Sequence, residues 1–305
     1  MSTHNHPLTF GLLISLIFLI LAIFGPSLAP KDPLAELQYW HDEAGNRVVA
    51  PFRPGQVPGF PLGTDRLGRD VVSRILWGVR PTLILSLSVV AARLLIGLFL
   101  GVIAGWNRGF IERIIDQLIG ASIGIPLLVF SIALIFLIGI DRGLISFLIA
   151  LSLTGWADIA SLTKNQTIHV VQKPYIEGAY AIGMKPGQIL WRYVLPQLGP
   201  ILPAIVAFEL AAVTLLIVEL GFLGVFIGGG TATLVTDGGG FSLEAGVPEL
   251  GQMLSDFWAQ IIQTPWMPLV VGTLVFIEIF AFNMLGEGLR RHVDVTRTKR
   301  SRHKV

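Results

Sequence analysis

Hydrophobic and polar positions in this chain fall into long blocks rather than short alternations. Six blocks stay apolar for about 20 residues, enough for a helix to cross a bilayer core. They are Leu8–Ala29, Thr82–Gly105, Ile114–Ile140, Gly143–Leu162, Ile201–Ile227 and Trp266–Leu289. Pro126 lies inside the third block and does not veto a span, because neighbouring helices can satisfy the carbonyls it frees. The pattern predicts an all-α polytopic membrane protein with six transmembrane helices. Residues 1–7 form a short N-terminus and 8–29 a first helix that reads as a retained anchor. As a cleaved signal peptide that run would need a basic leader and a small-x-small site, and it has neither. Residues 30–81 form a long polar loop, 82–289 a core of five spans, and 290–305 a basic tail. Within the core, 163–200 and 228–265 are the long connections.

Composition agrees with this pattern. The chain is 53% hydrophobic and 14% charged, against roughly 25% charged residues in soluble domains. No cysteine is present, which excludes disulfides and thiolate metal sites. The six histidines are scattered without ligand spacing inside the spans. The net charge of +2 hides a strongly basic stretch, RRHVDVTRTKRSRHKV, from Arg290. Beside so much lipid-facing sequence this stretch reads as a solvated tail, not a nucleic-acid site. Lys and Arg near span ends mark the cytoplasmic side. Six spans then place both termini and the 163–200 connection in the cytoplasm, with 30–81 and 228–265 outside. The 30–81 loop carries cations of its own, balanced by nearly as many acids, and long loops follow the charge rule weakly.

Before the second span, Leu67, Val71, Val72, Ile75, Leu76 and Val79 recur at helical spacing. Asp65/Arg69, Arg66/Asp70 and Asp70/Arg74 fall at i,i+4. An amphipathic helix on the membrane or against the bundle is expected there. The stretch GGGTATLVTDGGG within 228–246 has neither a lysine nor a phosphate-loop spacing, and reads as a flexible linker.

The segment EGAYAIGMKPGQILWRYVLP, Glu177–Pro196, sits between two long apolar stretches. Pro174 suits the first turn of a helix, and Glu177 is favoured in that turn by the helix dipole. Ala179 and Ala181 keep the helix thin, and Gly183 can end it in a left-handed conformation. Pro186 suits the start of a second helix with Ile189, Leu190, Tyr193 and Val194 on its apolar face, which Pro196 stops. The residues alone leave two readings open: a helical hairpin covering the bundle, or an element that a partner grips. Four charges lie inside spans, where they are costly: Arg93, Glu209, Glu219 and Glu278. Glu209 and Glu219 are ten residues apart, about 80° off a common helical face, so both cannot point squarely into one path. Interhelical pairing, for instance of Arg93 with a glutamate, competes with a role in translocation.

The spacing Glu177, Ala179, Gly183, Leu195, Pro196 resembles the EAA motif of ABC importer permeases. Gly178 stands where the motif usually has alanine, and Tyr193 where it usually has an isoleucine-like residue. Three further stretches resemble the dipeptide/oligopeptide/nickel permease family, specifically its C-type subunit. They are PLGTDRLGRDVVSR (with Gly63, Thr64, Asp65, Gly68, Arg69 and Asp70), PELGQML before the sixth span and FNMLGEGLRRHVD at its end. The 228–246 stretch is longer than the family's usual outer loop. The resemblance implies the type I ABC importer permease fold, with a cytoplasmic coupling helix made by Glu177–Pro196. Glu177, Ala179, Ala181, Gly183, Met184, Lys185, Pro186, Leu195 and Pro196 would couple to an ATPase. It also implies a homologous B-type permease, two cytoplasmic ATPase subunits and an extracytoplasmic binding protein as partners, in a bacterial or archaeal cytoplasmic membrane. The chain itself would bind no cofactor, and ATP and Mg would be used by the ATPases. Peptides are the expected cargo, with nickel chelates or oligosaccharides as alternatives. A rival class is a proton-coupled secondary transporter using Glu209, Glu219 or Glu278. A membrane enzyme lacks any supporting Ser/His/Asp or HExxH arrangement.

Overall fold

The computed structural model describes residues 5–227, 231–235, 240–244, 248–255 and 257–302, with backbone alone at 231–235, 240–244 and 294–302. Helices α1 (His6–Leu28) and α2 (Val71–Trp106) flank the first loop. Then follow α3 (Phe110–Ile123), α4 (Leu127–Ile138), α5 (Leu144–Leu153) and α6 (Trp156–Val171). The short helices α7 (Pro174–Ala181), α8 (Pro186–Ile189) and α9 (Leu195–Leu198) lead to α10 (Leu202–Phe222), and α11 (Phe257–Gln263) precedes α12 (Trp266–Arg302). Among the described residues, five stretches are long and apolar enough to cross a membrane, six if α3 and α4 together make one.

Four expectations need correction, each at a glycine or proline. The first concerns α2. The amphipathic stretch from Val71 is not a separate helix but the first three turns of α2, which runs through Pro81 without a break. At about 1.5 Å per residue its 36 residues reach well beyond a 30 Å bilayer core, so its first turns stand clear of the span. The second concerns the third span, which is broken. α3 and α4 meet at 95° across Gly124–Pro126, where Pro126 disfavours helix at the residue before it. The third is a break at Thr154–Gly155 in the fourth span: Thr154 is extended and Gly155 left-handed, with φ +74°. The fourth is that Pro196 does not stop the chain's helical course. Leu190–Val194 takes π geometry, with Leu195 N–H donating to Leu190 O. This wider turn absorbs the hydrogen bond that Pro196 cannot make, and the chain continues through α9 into α10.

α2 is the axis of the bundle. It packs against α1, α5 and α10, and most closely against α6. There Gly97, Gly101 and Gly105 bring the backbones together. A Cβ on these glycines would lie 2.6 Å from Ile159 Cβ, 2.5 Å from Ala160 O and 2.6 Å from Thr167 Cβ. In lipid, association rests on such close packing rather than on hydrophobic burial. α1 meets α12 in the same manner: Gly288 sits against Leu8 and Gly11 against Leu285, and Asn5 Nδ2 donates to Gly288 O at 2.7 Å. These contacts gather the start of α1, the end of the α12 span and α7 at one end of the bundle. Residues 30–70 and 248–255 lie at the other. The first loop has its own small core, Phe52, Val57 and Phe60, beside a hairpin of β1 (Tyr39–His41) and β2 (Arg47–Val49). In the second loop the backbone pairs β3 (Thr231–Val235) antiparallel with β4 (Gly240–Glu244). The expected flexible linker over 228–246 lies partly outside the described residues, and the two described stretches of it are strands.

Candidate functional site

α6 ends at one face of the bundle and α10 starts there. Between them α7 and α8 fold back on each other. Ile176, Ala179 and Ile189 are buried together, with Trp106, Met184 and Tyr193 around them. Tyr175 stacks on Tyr193 with ring centroids 6.2 Å apart. Gly183 N–H donates to Tyr180 O at 2.9 Å and Met184 N–H to Ala179 O at 3.1 Å. This pair of bonds is the Schellman ending of a helix, and Gly183 has the left-handed φ it needs, +82°. Any other L-residue there costs roughly 1–2 kcal/mol. Lys185 is extended and its N–H donates to Gln188 Oε1 at 3.1 Å, with Pro186 in the first turn of α8. Leu195 and Pro196 stand at the base, where the segment joins α10.

Large apolar side chains on this element are exposed. Ile182 is 77% exposed and Trp191 75%, and Tyr180 is exposed beside them. Open space surrounds Gly178, Gly183 and Gly187. Glu177, Ala181, Lys185 and Pro186 are exposed on the same element. Ala179 departs from expectation: it faces the bundle, so Gly178 and Ala181 are what thin the outer face. The turn therefore leaves several large side chains uncovered within this chain.

At the opposite end, the Gly63–Asp70 signature ties a knot. Thr64 and Phe52 exchange two bonds: Phe52 N–H to Thr64 Oγ1 at 2.9 Å and Thr64 N–H to Phe52 O at 3.0 Å. Asp65 accepts from Arg69 Nε at 2.7 Å, and Arg74 Nε lies 3.4 Å from the same carboxylate. Gly68, with φ +83°, lies against the backbone of Leu37. Asp70 caps α2, accepting from Ser73 N at 2.8 Å and Ser73 Oγ at 2.6 Å. The buried Arg74 reaches across to Gln252 Oε1 at 2.8 Å. Gly251 packs on Gly221 of α10. Glu249 is buried, with one oxygen accepting from Ile227 N–H at 3.0 Å and the other unpartnered. Burial pushes its carboxyl up to about 7. The first and second signature stretches therefore form one joint, built of structural rather than chemical groups.

The four intramembrane charges separate. Arg93 and Glu209 pair at 3.4 Å. Arg93 also donates from Nε to Leu151 O at 2.8 Å and from Nη2 to Thr154 Oγ1 at 3.3 Å. Glu219 lies exposed on another side of α10. Glu278 is fully buried in α12 with neither oxygen hydrogen-bonded. The sequence reading missed three features: the Thr154–Gly155 break, the Arg74–Gln252 bridge, and Lys164 bound to Glu112 at 2.9 Å and Asp116 at 2.6 Å. Of the local signals, only the glycine spacing 97, 101, 105 was available, as a helix-packing pattern.

Comparison with known proteins gives this geometry a context. Residues 97–293 match the family described as binding-protein-dependent transport system inner membrane component. A dipeptide transport system permease protein of Alkalihalophilus pseudofirmus is 30% identical over 286 residues, 93% of this chain and 84% of that one. A di/tripeptide transport system permease protein of Pseudomonas aeruginosa is 27% identical, over 95% and 88% of the two chains. An oligopeptide transport system permease protein of Bacillus subtilis is 26% identical, over 93% and 84%. The matched region holds α6, the α7–α8 turn, α10 and most of α12, and the near full-length similarity extends the likeness to the Gly63–Asp70 knot. The chain belongs to the binding-protein-dependent transport system inner membrane components, the permease subunits of ABC importers.

Proposed function

We propose that this chain is the C-type permease subunit of an ATP-driven importer, and that it forms a translocation path for peptides together with a homologous permease. The observation that carries the reading is the α7–α8 turn: rigidly capped, standing between two spans, and exposing Tyr180, Ile182 and Trp191. In this reading the turn docks in a cleft of a cytoplasmic ATPase. Closing of two ATPase subunits on ATP displaces it, and the spans follow as rigid bodies. The energy comes from the different nucleotide affinities of the two states. Both termini share the cytoplasmic side with α7, consistent with the basic residues after Arg290. The opposite end then receives an extracytoplasmic binding protein loaded with peptide. The peptide assignment rests on the relatives, which are dipeptide, di/tripeptide and oligopeptide transport permeases. The chain needs no cofactor for this role, and ATP and Mg belong to the ATPases.

The test is a reconstituted complex of this chain with the neighbouring permease, ATPase and binding-protein subunits. ATP hydrolysis should rise with peptide-loaded binding protein, and Gly183→Trp should abolish the rise. Stimulation only by another loaded ligand would replace the cargo. Failure of any ATPase to associate would refute the importer reading.

A further inference from the structure

A span that breaks inside a bilayer leaves backbone carbonyls without partners, and something must satisfy them. At the break between α5 and α6 the chain turns away at Thr154, and Leu151 O loses the donor that a continuous helix would supply. Thr154 Oγ1 donates to this oxygen at 3.2 Å, and Arg93 adds a second donor from a different helix. Its Nε donates to Leu151 O at 2.8 Å, and its Nη2 to Thr154 Oγ1 at 3.3 Å. Its Nη1 lies 3.4 Å from Glu209 on α10. The guanidinium also packs on the left-handed Gly155, where a Cβ would come within 2.5 Å of Arg93 Cζ. One fully buried side chain on α2 thus holds the end of α5, the pivot before α6 and the wall of α10.

The position matters because of what α6 joins. Its far end leads directly into α7. Along its length it is fixed to the second half of α2 through Gly97, Gly101 and Gly105. A push on α7 therefore carries α6 and that half of α2 together. α5 and α10 also pack against α2, and Ser86 of its first half meets Thr214 of α10 at 3.1 Å, but at the break the backbone of the fourth span is discontinuous. Arg93, on the moving α2, is what bonds to both.

We propose that Arg93 is the joint through which displacement of the Glu177–Pro196 segment reaches α5 and α10, and is thus a positioning residue for transport. The proposal rests on the importer reading above and adds to it the route by which motion leaves α6. The test uses the complete reconstituted complex and measures peptide uptake and ATP hydrolysis together. Arg93→Gln should keep stimulated ATP hydrolysis within about twofold of wild type while uptake per ATP falls at least about fivefold, the lower edge for coupling between sites. A residue needed only for folding would lower both in proportion, and that result, or an unchanged ratio, overturns the proposal. Combining Arg93→Gln with Glu209→Gln should not restore uptake, because Leu151 O and Thr154 Oγ1 still lack the guanidinium that ties them to α2. Recovery in the double variant would show that only charge balance matters and would also overturn it. If Arg93→Gln does not assemble, Glu209→Gln alone must lower the same ratio. A wild-type complex with no ATP-dependent uptake would refute the importer reading itself, a result distinct from any variant's.

Discussion

Glu249 offers the most quantitative check on the joint between the two loops. Its carboxyl is wholly buried where residues 248–255 wedge between α2 and α10, and a single backbone N–H, from Ile227, faces it. The buried Arg74 of that joint bonds to Gln252 and Asp65. Desolvation therefore dominates and raises the carboxyl from 4.5 to about 7. The folded protein then binds a proton that the unfolded chain releases near pH 4.5. Folding stability must fall as pH rises from about 4.5 to 7, and the loss is complete above that window. A shift of that size corresponds to about 3 kcal/mol. Glu249→Gln keeps an oxygen for the Ile227 N–H and removes the titration. In detergent-solubilised protein, denaturant midpoints measured from pH 4 to 8 should show wild type losing stability across the window while the variant stays level. The two should converge near pH 4, with the variant ahead by up to about 3 kcal/mol at pH 8. Parallel profiles would mean that the carboxylate is ionised and paired in the native state, and the account of this joint would fail.

Other parts of the structure make equally definite demands. Gly101→Leu should drive α6 off α2, because even its Cβ would stand 2.5 Å from Ala160 O. A loss of at least about 1–3 kcal/mol is expected from overpacking, read as a lower melting temperature of the purified chain. Gln252→Leu removes a charge-assisted bond to the buried Arg74. It should cost about 1.5–3 kcal/mol and leave the α7 end untouched, measured by hydrogen exchange at the two ends. Ile182→Glu, at a side chain 77% exposed, should change stability by less than about 0.5 kcal/mol yet abolish pull-down of the ATPase subunits.

Local chemistry made the spans and the α7–α8 turn legible. A run of about 20 apolar residues has few alternatives to a membrane helix. Gly183 between an alanine-rich helix and Lys-Pro has few alternatives to a left-handed cap. What stayed hidden depends on partners distant in sequence. Nothing in ALSLTGWADIA separates a mid-span glycine that packs from one that breaks the helix. The choice is made by Arg93, some 60 residues earlier, whose donors make the broken backbone affordable in lipid. Hydropathy likewise scored Glu209, Glu219 and Glu278 alike, although one is paired, one exposed and one buried without a bond. Pro196 reads as a stop because a proline forfeits one hydrogen bond. In the fold, α2 continues through Pro81, and a π turn carries the chain past Pro196. The same dependence explains why the broken span and the buried cation arise together. An arginine at mid-bundle needs acceptors, and a broken helix has acceptors to spare. Each is costly alone in a membrane, and their coincidence at Thr154–Gly155 satisfies both.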